Sequence, residues 1–205
     1  MSEQRVLDVS SLPVSTVDSR SLIWWGNLGM MAIEGSMFAM TIATFLYFRT
    51  ANLDWPPATV PKPDLLWPTI NLALLVISAI PAWIADRAGH RKEKRGVVLG
   101  MLLVVIAGIA FLAIRAHNVA NIGYKWSDHA FGSIVWVVIG LHTFHTFAAT
   151  GENTMLLVYA AFKPMTKSRY LDFRCGAVYW YFVVISWLPF YFLIYIQPWM
   201  RRKGM

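Results

Sequence analysis

Five apolar segments constrain this chain more than any other feature of its sequence. They run approximately from Leu22 to Phe48, Leu66 to Ala85, Gly96 to Ile114, Phe131 to Phe162 and Ala177 to Ile196. An α-helix needs about 20 predominantly apolar residues to cross a hydrocarbon core of roughly 30 Å, and each segment reaches about that length or exceeds it. None shows the alternating pattern of a membrane-spanning strand. The sequence therefore predicts an all-α integral membrane bundle that crosses the bilayer five times.

The composition of the chain agrees with a membrane environment. Hydrophobic residues make up 57% of it and charged residues only 14%, against about 25% charged in soluble domains. The net charge of +7 resides mostly on side chains that flank the apolar segments, which is typical of membrane proteins and argues against nucleic acid as a partner. Cys175 is the only cysteine, so the chain by itself has no intrachain disulfide, four-cysteine zinc site or iron–sulfur cluster.

The segments predict one transmembrane domain, residues 22–200, between two short polar ends. Residues 1–21 carry charges of both signs and lack the short apolar core of a cleaved signal peptide. Residues 201–205 form a basic tail. We find no soluble domain and no internal repeat.

The distribution of basic residues predicts the orientation in the membrane. Eleven of the 18 Lys and Arg fall on the N-terminal face, five of them in the loop 86–95, and the other seven, including Arg115, fall on the opposite face. Basic loops stay in the cytoplasm, so the N-terminus is expected inside and the C-terminus outside. We expect a multi-pass protein of the cell inner membrane, with Trp55 and Trp67 among the tryptophans of its interfacial belt.

Ionisable side chains within apolar segments are the first functional candidates, because they are costly in a membrane. Glu34 lies about 18 Å along its helix from the start of the first segment, and His142 and His145 lie roughly 16 and 21 Å along the fourth, at 1.5 Å per residue. These matching depths allow the three side chains to meet. They would form either a structural hydrogen-bonded cluster or a site that handles protons or lipid headgroups.

Two further candidates carry weaker signals. His142 and His145 share a helix face, but the segment offers too few additional ligands for zinc, copper or haem, so we predict no metal site. Glu152 and Asn153 are expected to be a solvated pair near the cytoplasmic end of the fourth span. No nucleophile motif, catalytic triad or phosphate-binding loop occurs, and we assign no catalytic residue.

Six segments, taken in chain order, resemble motifs of one known family. They are the glutamate helix around Glu34; Trp55-Pro56-Pro57; Asn71 with Ser78; Asp128 to Ser133; Gly140 to His145 with its two histidines; and Tyr179-Trp180-Tyr181-Phe182 through Trp187. This order is similar to that of subunit III of the haem-copper terminal oxidases in its five-helix form. The resemblance covers residues 24–199.

The resemblance implies a subunit that holds no redox cofactor itself. Such a subunit packs on subunit I, which holds haem and copper, and on subunit II, and it binds phospholipids between its helices. It would support stability, oxygen access and proton uptake in aerobic electron transport. Glu34, His142 and His145 would be its buried polar cluster, and Trp55, Pro56, Pro57, Asp128 and Trp180 its structural motif residues.

The chain departs from the family's pattern at four positions. Arg115 and Asn118 stand where the family has glutamine and glutamate, Tyr181 where it has histidine, and Val184 where it has aspartate. These departures leave open an accessory subunit of a nitric oxide reductase-type complex. A small proton or ion transporter that uses Glu34 and the two histidines is a further alternative.

Overall fold

The protein, represented by a computed structural model, is described over residues 21–163 and 167–201, and its regular structure there is entirely helical. Residues 1–20 of the predicted N-terminal segment and 202–205 of the predicted tail lie outside the described residues. The helices are α1 (Leu22–Ala51), α2 (Leu66–Ile77), α3 (Ala79–His90), α4 (Lys94–Ala120), α5 (Ala130–Phe162), α6 (Lys167–Tyr191) and α7 (Gln197–Arg201). A π-helical turn, Phe192–Ile196, joins α6 to α7.

Among the described residues, five helical stretches are long and apolar enough to cross a membrane, which confirms the predicted all-α bundle with five spans. They are Leu22–Ala51, Leu66–His90, Lys94–Ala120, Ala130–Phe162 and Tyr170–Met200. The helices extend beyond the apolar segments because a helix that leaves the hydrocarbon keeps its backbone hydrogen bonds at no cost. Several charged residues that appeared to lie in loops are therefore helical.

The fourth span, α5, is continuous through the polar stretch that interrupts its hydrophobicity. The Thr150 hydroxyl donates to the carbonyl of Thr146 at 2.7 Å, and the Thr154 hydroxyl donates to that of Thr150 at 2.7 Å. Side-chain bonds to the carbonyl four residues earlier satisfy these hydroxyls within the helix itself. Polar residues can therefore occupy this stretch without ending the helix.

The second span is interrupted at Ser78, between α2 and α3. Pro81 has no N–H to donate to the carbonyl of Ile77, and its ring clashes with that carbonyl, which breaks a regular helix at this point. The Ser78 hydroxyl donates to the carbonyl of Leu75 at 2.5 Å and accepts from the indole N–H of Trp180 at 2.9 Å. The interruption is thereby connected to α6.

Helix α6 lies at the centre of the bundle and α1 at its periphery. Helix α6 packs against α1, α2, α3 and α5, while α4 packs against α2, α3 and α5. In the most apolar stretch of the last span, 56% of the residues are buried. In that of the first span, only 11% are buried. The apolar side chains of α1 therefore face lipid or another polypeptide.

Small residues allow α3 and α4 to approach closely. A Cβ on Gly100 would lie 2.8 Å from the carbonyl oxygen of Pro81 and 2.9 Å from the backbone nitrogen of Ala85. A Cβ on Gly108 would lie 3.1 Å from the Trp180 ring and would also meet Thr150. Close backbone packing at small residues is a main source of helix association in membranes.

Candidate functional site

The structure brings Glu34 of α1 to His145 of α5, at the buried contact between the two helices. Glu34 Oε2 lies 3.8 Å from His145 Nε2, and their side chains are 19% and 6% exposed. The Tyr179 hydroxyl of α6 donates to Glu34 Oε1 at 3.3 Å. Three helices thus contribute one polar group each to what we call the Glu34 cluster: Glu34, His145 and Tyr179.

Hydrogen bonding determines which nitrogen of His145 faces the carboxyl group. His145 Nδ1 lies 2.7 Å from the carbonyl of Leu141, and a carbonyl only accepts, so Nδ1 carries the hydrogen. Nε2 of the neutral ring is then an acceptor directed at Glu34. At 3.8 Å the two atoms lie beyond hydrogen-bond distance, and Glu34 Oε2 has no hydrogen-bond partner.

His142 lies apart from this contact. Its Nε2 donates to the carbonyl of Val183 at 3.0 Å, and its ring is completely buried, 4.5 Å from that of Trp187. The two histidine rings bond to different carbonyl groups, so they do not share one ligand position. The sequence allowed both histidines to lie against Glu34. In the structure only His145 does so.

Phe38 closes the Glu34 cluster against the interior of the bundle. This side chain is 4% exposed, and its ring lies 4.9 Å from that of His145 and 6.4 Å from that of His142. Phe182 and Phe190 of α6 contact its other sides. An apolar lining of this kind lowers the local dielectric and makes an unpaired polar group costly.

The described residues contain no group of three or more His, Cys, Asp or Glu side chains that could hold a metal ion. His142 and His145 both use ring nitrogens for backbone bonds.

Asn153 contradicts the expectation of a solvated Glu152–Asn153 pair. It is 1% exposed, and its amide donates to the carbonyl of Ala149 at 2.8 Å. Its Oδ1 lies 3.5 Å from where a Cβ on Gly176 would be. The missing side chain at Gly176 lets α6 cover Asn153, whereas Glu152 remains half-buried.

The two loop motifs named from sequence meet at one end of the bundle. Trp55, which follows α1, is 4% exposed, and its ring packs edge-on against those of Phe45 (5.4 Å) and Phe131 (5.1 Å). The sequence predicted Trp55 in an interfacial belt; at this end of the bundle the aromatic cluster buries its ring. The Trp55-Pro56 peptide bond is cis, and the carbonyl of Pro57 accepts from Val60 at 3.0 Å.

Asp128 organises the loop that leads into α5. Its Oδ2 accepts from the backbone N–H of Lys125 at 2.8 Å. His129 is the N-cap, and its Nδ1 accepts from the N–H of Gly132 at 2.7 Å. A side-chain acceptor at this position satisfies an N–H group that has no partner within the helix.

Trp180 is the largest completely buried side chain of the core. Its bond to Ser78 connects α6 to the interrupted second span. Asn71, which the resemblance grouped with Ser78, is 1% exposed, and neither its amide nitrogen nor its amide oxygen has a hydrogen-bond partner. The structure offers no direct contact that explains Asn71.

Arg115, which the count of basic residues assigned to the face opposite the N-terminus, is buried in the bundle. It lies inside α4 and is 2% exposed. Its guanidinium stacks over the rings of Trp187 at 3.8 Å and Phe111 at 4.9 Å, and its Nε and Nη2 atoms have no hydrogen-bond partner. Cation–π contacts compensate part of the cost of burying this charge.

Sequence reasoning missed two features of the site. It did not pair Tyr179 with Glu34, although Tyr179 was part of a recognised motif. It also counted Arg115 among the basic residues of the face opposite the N-terminus and did not predict its burial. The signal for Arg115 was present, because residues 115–120 contain no glycine or proline and include Ala116 and Ala120, which favour a helix.

Fold and site together define a class: a multi-pass helical membrane protein with a buried polar cluster and, in the part described, no metal-ligand set. Sequence comparison then specifies the family. The profile of cytochrome c oxidase subunit III matches residues 26–199. The chain therefore belongs to the cytochrome c oxidase subunit III family, which confirms the resemblance seen in its motifs.

Individual relatives show the extent of the similarity. The chain is 29% identical to cytochrome c oxidase subunit 3 of Myxine glutinosa over 145 residues, which are 70% of this chain and 56% of that protein. It is 25% identical to that of Thermostichus vulcanus over 174 residues, which are 83% of this chain and 85% of that protein. Thus it spans only about half the length of the first of these relatives, but most of the second.

Proposed function

We propose that this chain is the non-catalytic subunit III of a haem-copper respiratory terminal oxidase. The observation that carries the proposal is the match to the subunit III family over nearly the whole membrane bundle, residues 26–199. Oxygen, the substrate of the whole oxidase, would be reduced in subunit I, which would hold haem and copper. The chain would pack on subunit I and lie near subunit II.

The exposed surface of the bundle supports such an association. Many large apolar side chains of α1 are exposed, among them Ile33 at 73% and Met40 at 69%. In a membrane these surfaces contact either lipid tails or the helices of another subunit. Phospholipids bound along them would complete the packing between subunits and sustain oxygen access and proton uptake.

We further propose that the N-terminus lies in the cytoplasm and the C-terminus outside the cell inner membrane. Because Arg115 is buried within α4, only six basic residues remain to oppose the eleven on the N-terminal face. The charge asymmetry is therefore stronger than the sequence alone indicated.

Affinity purification in mild detergent through a tag on this chain tests the proposal. We expect a large haem-containing polypeptide to purify with it, and the assembly to reduce oxygen. The visible spectrum, identification of the polypeptides and oxygen consumption are the measurements. An untagged strain is the control.

The other outcomes distinguish the alternatives. A haem-containing assembly that reduces nitric oxide but not oxygen would assign the chain to a nitric oxide reductase-type complex. A colourless chain without a redox partner would refute the subunit proposal. Proton flux through vesicles containing that chain alone would then favour the transporter.

Within this function we propose that Glu34 holds α1 to the rest of the bundle. Glu34→Gln should change the free energy of unfolding little, since its amide can donate to His145 and accept from Tyr179. Glu34→Ala should lower it by about 1–3 kcal/mol, because two partly buried polar groups lose their partner. Thermal unfolding of the purified assembly measures both.

The exposed carboxyl group of Glu93, in the loop before α4, provides the control. Glu93→Gln and Glu93→Ala should both leave the unfolding temperature unchanged. If Glu34→Ala behaves like Glu93→Ala, Glu34 does not anchor the cluster.

A further inference from the structure

A cavity of about 160 Å³ lies at the end of the bundle where α2 begins and α4 ends. Trp67 and Pro68 of the first turn of α2, His117 of the last turn of α4, and Pro198 of α7 contribute to its wall. The loops 60–64 and 121–124 complete it. Since it is formed by helix ends, it lies at the level of the lipid headgroups. We call it the interfacial cavity.

The wall of the interfacial cavity is rich in hydrogen-bond donors. Seven lining residues carry side-chain N–H or O–H groups: Lys62, Trp67, His117, Asn118, Asn121, Tyr124 and Tyr195. Burial and the neighbouring Tyr195 raise the pKa of the Tyr124 phenol well above its usual value, so Tyr124 remains a neutral donor. Asp64 is the only acidic residue of the lining, and its Oδ1 already accepts from the N–H of Leu66 at 3.0 Å.

Two buried side chains of α4, one in the cavity wall and one a helical turn before it, have nitrogen atoms without hydrogen-bond partners. The Nδ2 atom of Asn118, a lining residue, is buried and has no hydrogen-bond partner. One helical turn earlier, the guanidinium of Arg115 is buried without a carboxylate in contact, and it interacts electrostatically with Tyr195 in the cavity wall. An unpaired buried donor and an uncompensated positive charge both favour an anion beside them.

We propose that the interfacial cavity binds the phosphodiester group of a membrane phospholipid. The oxygens of a phosphodiester only accept, which matches the donors of the wall, and Lys62, an exposed lining residue, supplies a positive charge. The proposed function includes contacts with phospholipids, and this cavity gives one specific position for such a contact. In that respect the inference rests on the proposed function.

The size and surroundings of the cavity favour a lipid headgroup over other ligands. The cavity has a volume of about 160 Å³. This is less than the 300–1,000 Å³ typical of sites that enclose a whole organic ligand. Leu66 and Ile70, next to the cavity on α2, are 63% and 42% exposed and would contact the acyl chains.

Phosphorus NMR of the delipidated assembly, or of the full chain alone, tests the site. The probe is dihexanoyl phosphatidylglycerol; dihexanoylglycerol, which lacks phosphate, and inorganic phosphate are the comparisons. We expect saturable binding of the phospholipid. Dihexanoylglycerol loses the charged hydrogen bonds, and inorganic phosphate loses the apolar contacts. In competition, each should therefore bind at least about tenfold more weakly than the phospholipid.

Substitutions locate the binding. Lys62→Ala and Asn118→Leu should each weaken phospholipid binding about tenfold. Lys125→Ala, which removes a basic side chain from the same end of the bundle but outside the cavity wall, is the matched control and should leave it unchanged. Lys62 is exposed in a loop, so its variant remains informative if Asn118→Leu does not fold.

Three results would overturn the proposal. If dihexanoylglycerol bound as tightly as dihexanoyl phosphatidylglycerol, the cavity would not recognise the phosphate. Equal binding of inorganic phosphate would identify a site for free anions instead. Unchanged affinity in Lys62→Ala would place the lipid elsewhere. None of these depends on the haem-containing partner, so a failure of the site and a failure of the proposed function are separately visible.

Discussion

Trp180→Ala is expected to lower the free energy of unfolding by about 3–5 kcal/mol, the usual cost of removing a large aromatic side chain from a core. Trp180 is completely buried in α6, the central helix. The substitution leaves a cavity and also removes the indole N–H that Ser78 accepts. Denaturant titration of the purified protein in detergent measures the change.

Two further variants separate the contributions of Trp180. Trp180→Phe keeps most of the ring volume and loses the hydrogen bond, so we expect a cost of about 1 kcal/mol. Trp25→Ala removes an equally large side chain that is 61% exposed on α1, and it should cost much less. Equal destabilisation by Trp25→Ala and Trp180→Ala would contradict the central position of α6.

Gly100→Ala should destabilise the bundle by about 1–3 kcal/mol through overpacking. The new Cβ would lie 2.8 Å from the carbonyl oxygen of Pro81 and 2.9 Å from the backbone nitrogen of Ala85. Because these are backbone atoms, no side-chain rotation can relieve the contacts, and α3 has to move away from α4. The same denaturant titration detects the loss.

Gly140→Ala is the matched control for this prediction. Gly140 also lies inside a membrane-spanning helix, but a Cβ there meets no atom within 4 Å. Alanine favours a helix over glycine by about 1 kcal/mol, so the variant should be as stable as the original or more so. A loss of stability in Gly140→Ala as large as in Gly100→Ala would show that helix packing does not explain the effect.

Much of the fold follows from the sequence because the decisive property is local. A segment of about 20 apolar residues forms a membrane-spanning helix wherever it occurs, since its backbone groups have no other partners in hydrocarbon. The five spans were therefore predictable one by one. Helix ends were less so, because the helix continues where hydrophobicity has already ended, as at Arg115.

The candidate site was predictable only in part. Glu34 and His145 could be placed at similar depths from the 1.5 Å rise of a helix, and the structure brings them to 3.8 Å. The rise says nothing about the rotation of each helix around its axis. That rotation directs His142 to the carbonyl of Val183 and brings Tyr179 to Glu34 instead.

The sequence by itself determined the all-α architecture, the five spans and, through motifs in order, membership of the subunit III family. Only the tertiary structure decided that Asn153, Trp55 and Arg115 are buried rather than solvated. The physical reason is that burial depends on which distant side chains cover a residue. Asn153 is covered because Gly176 has no side chain, and Arg115 because Trp187 and Phe111 offer their ring faces.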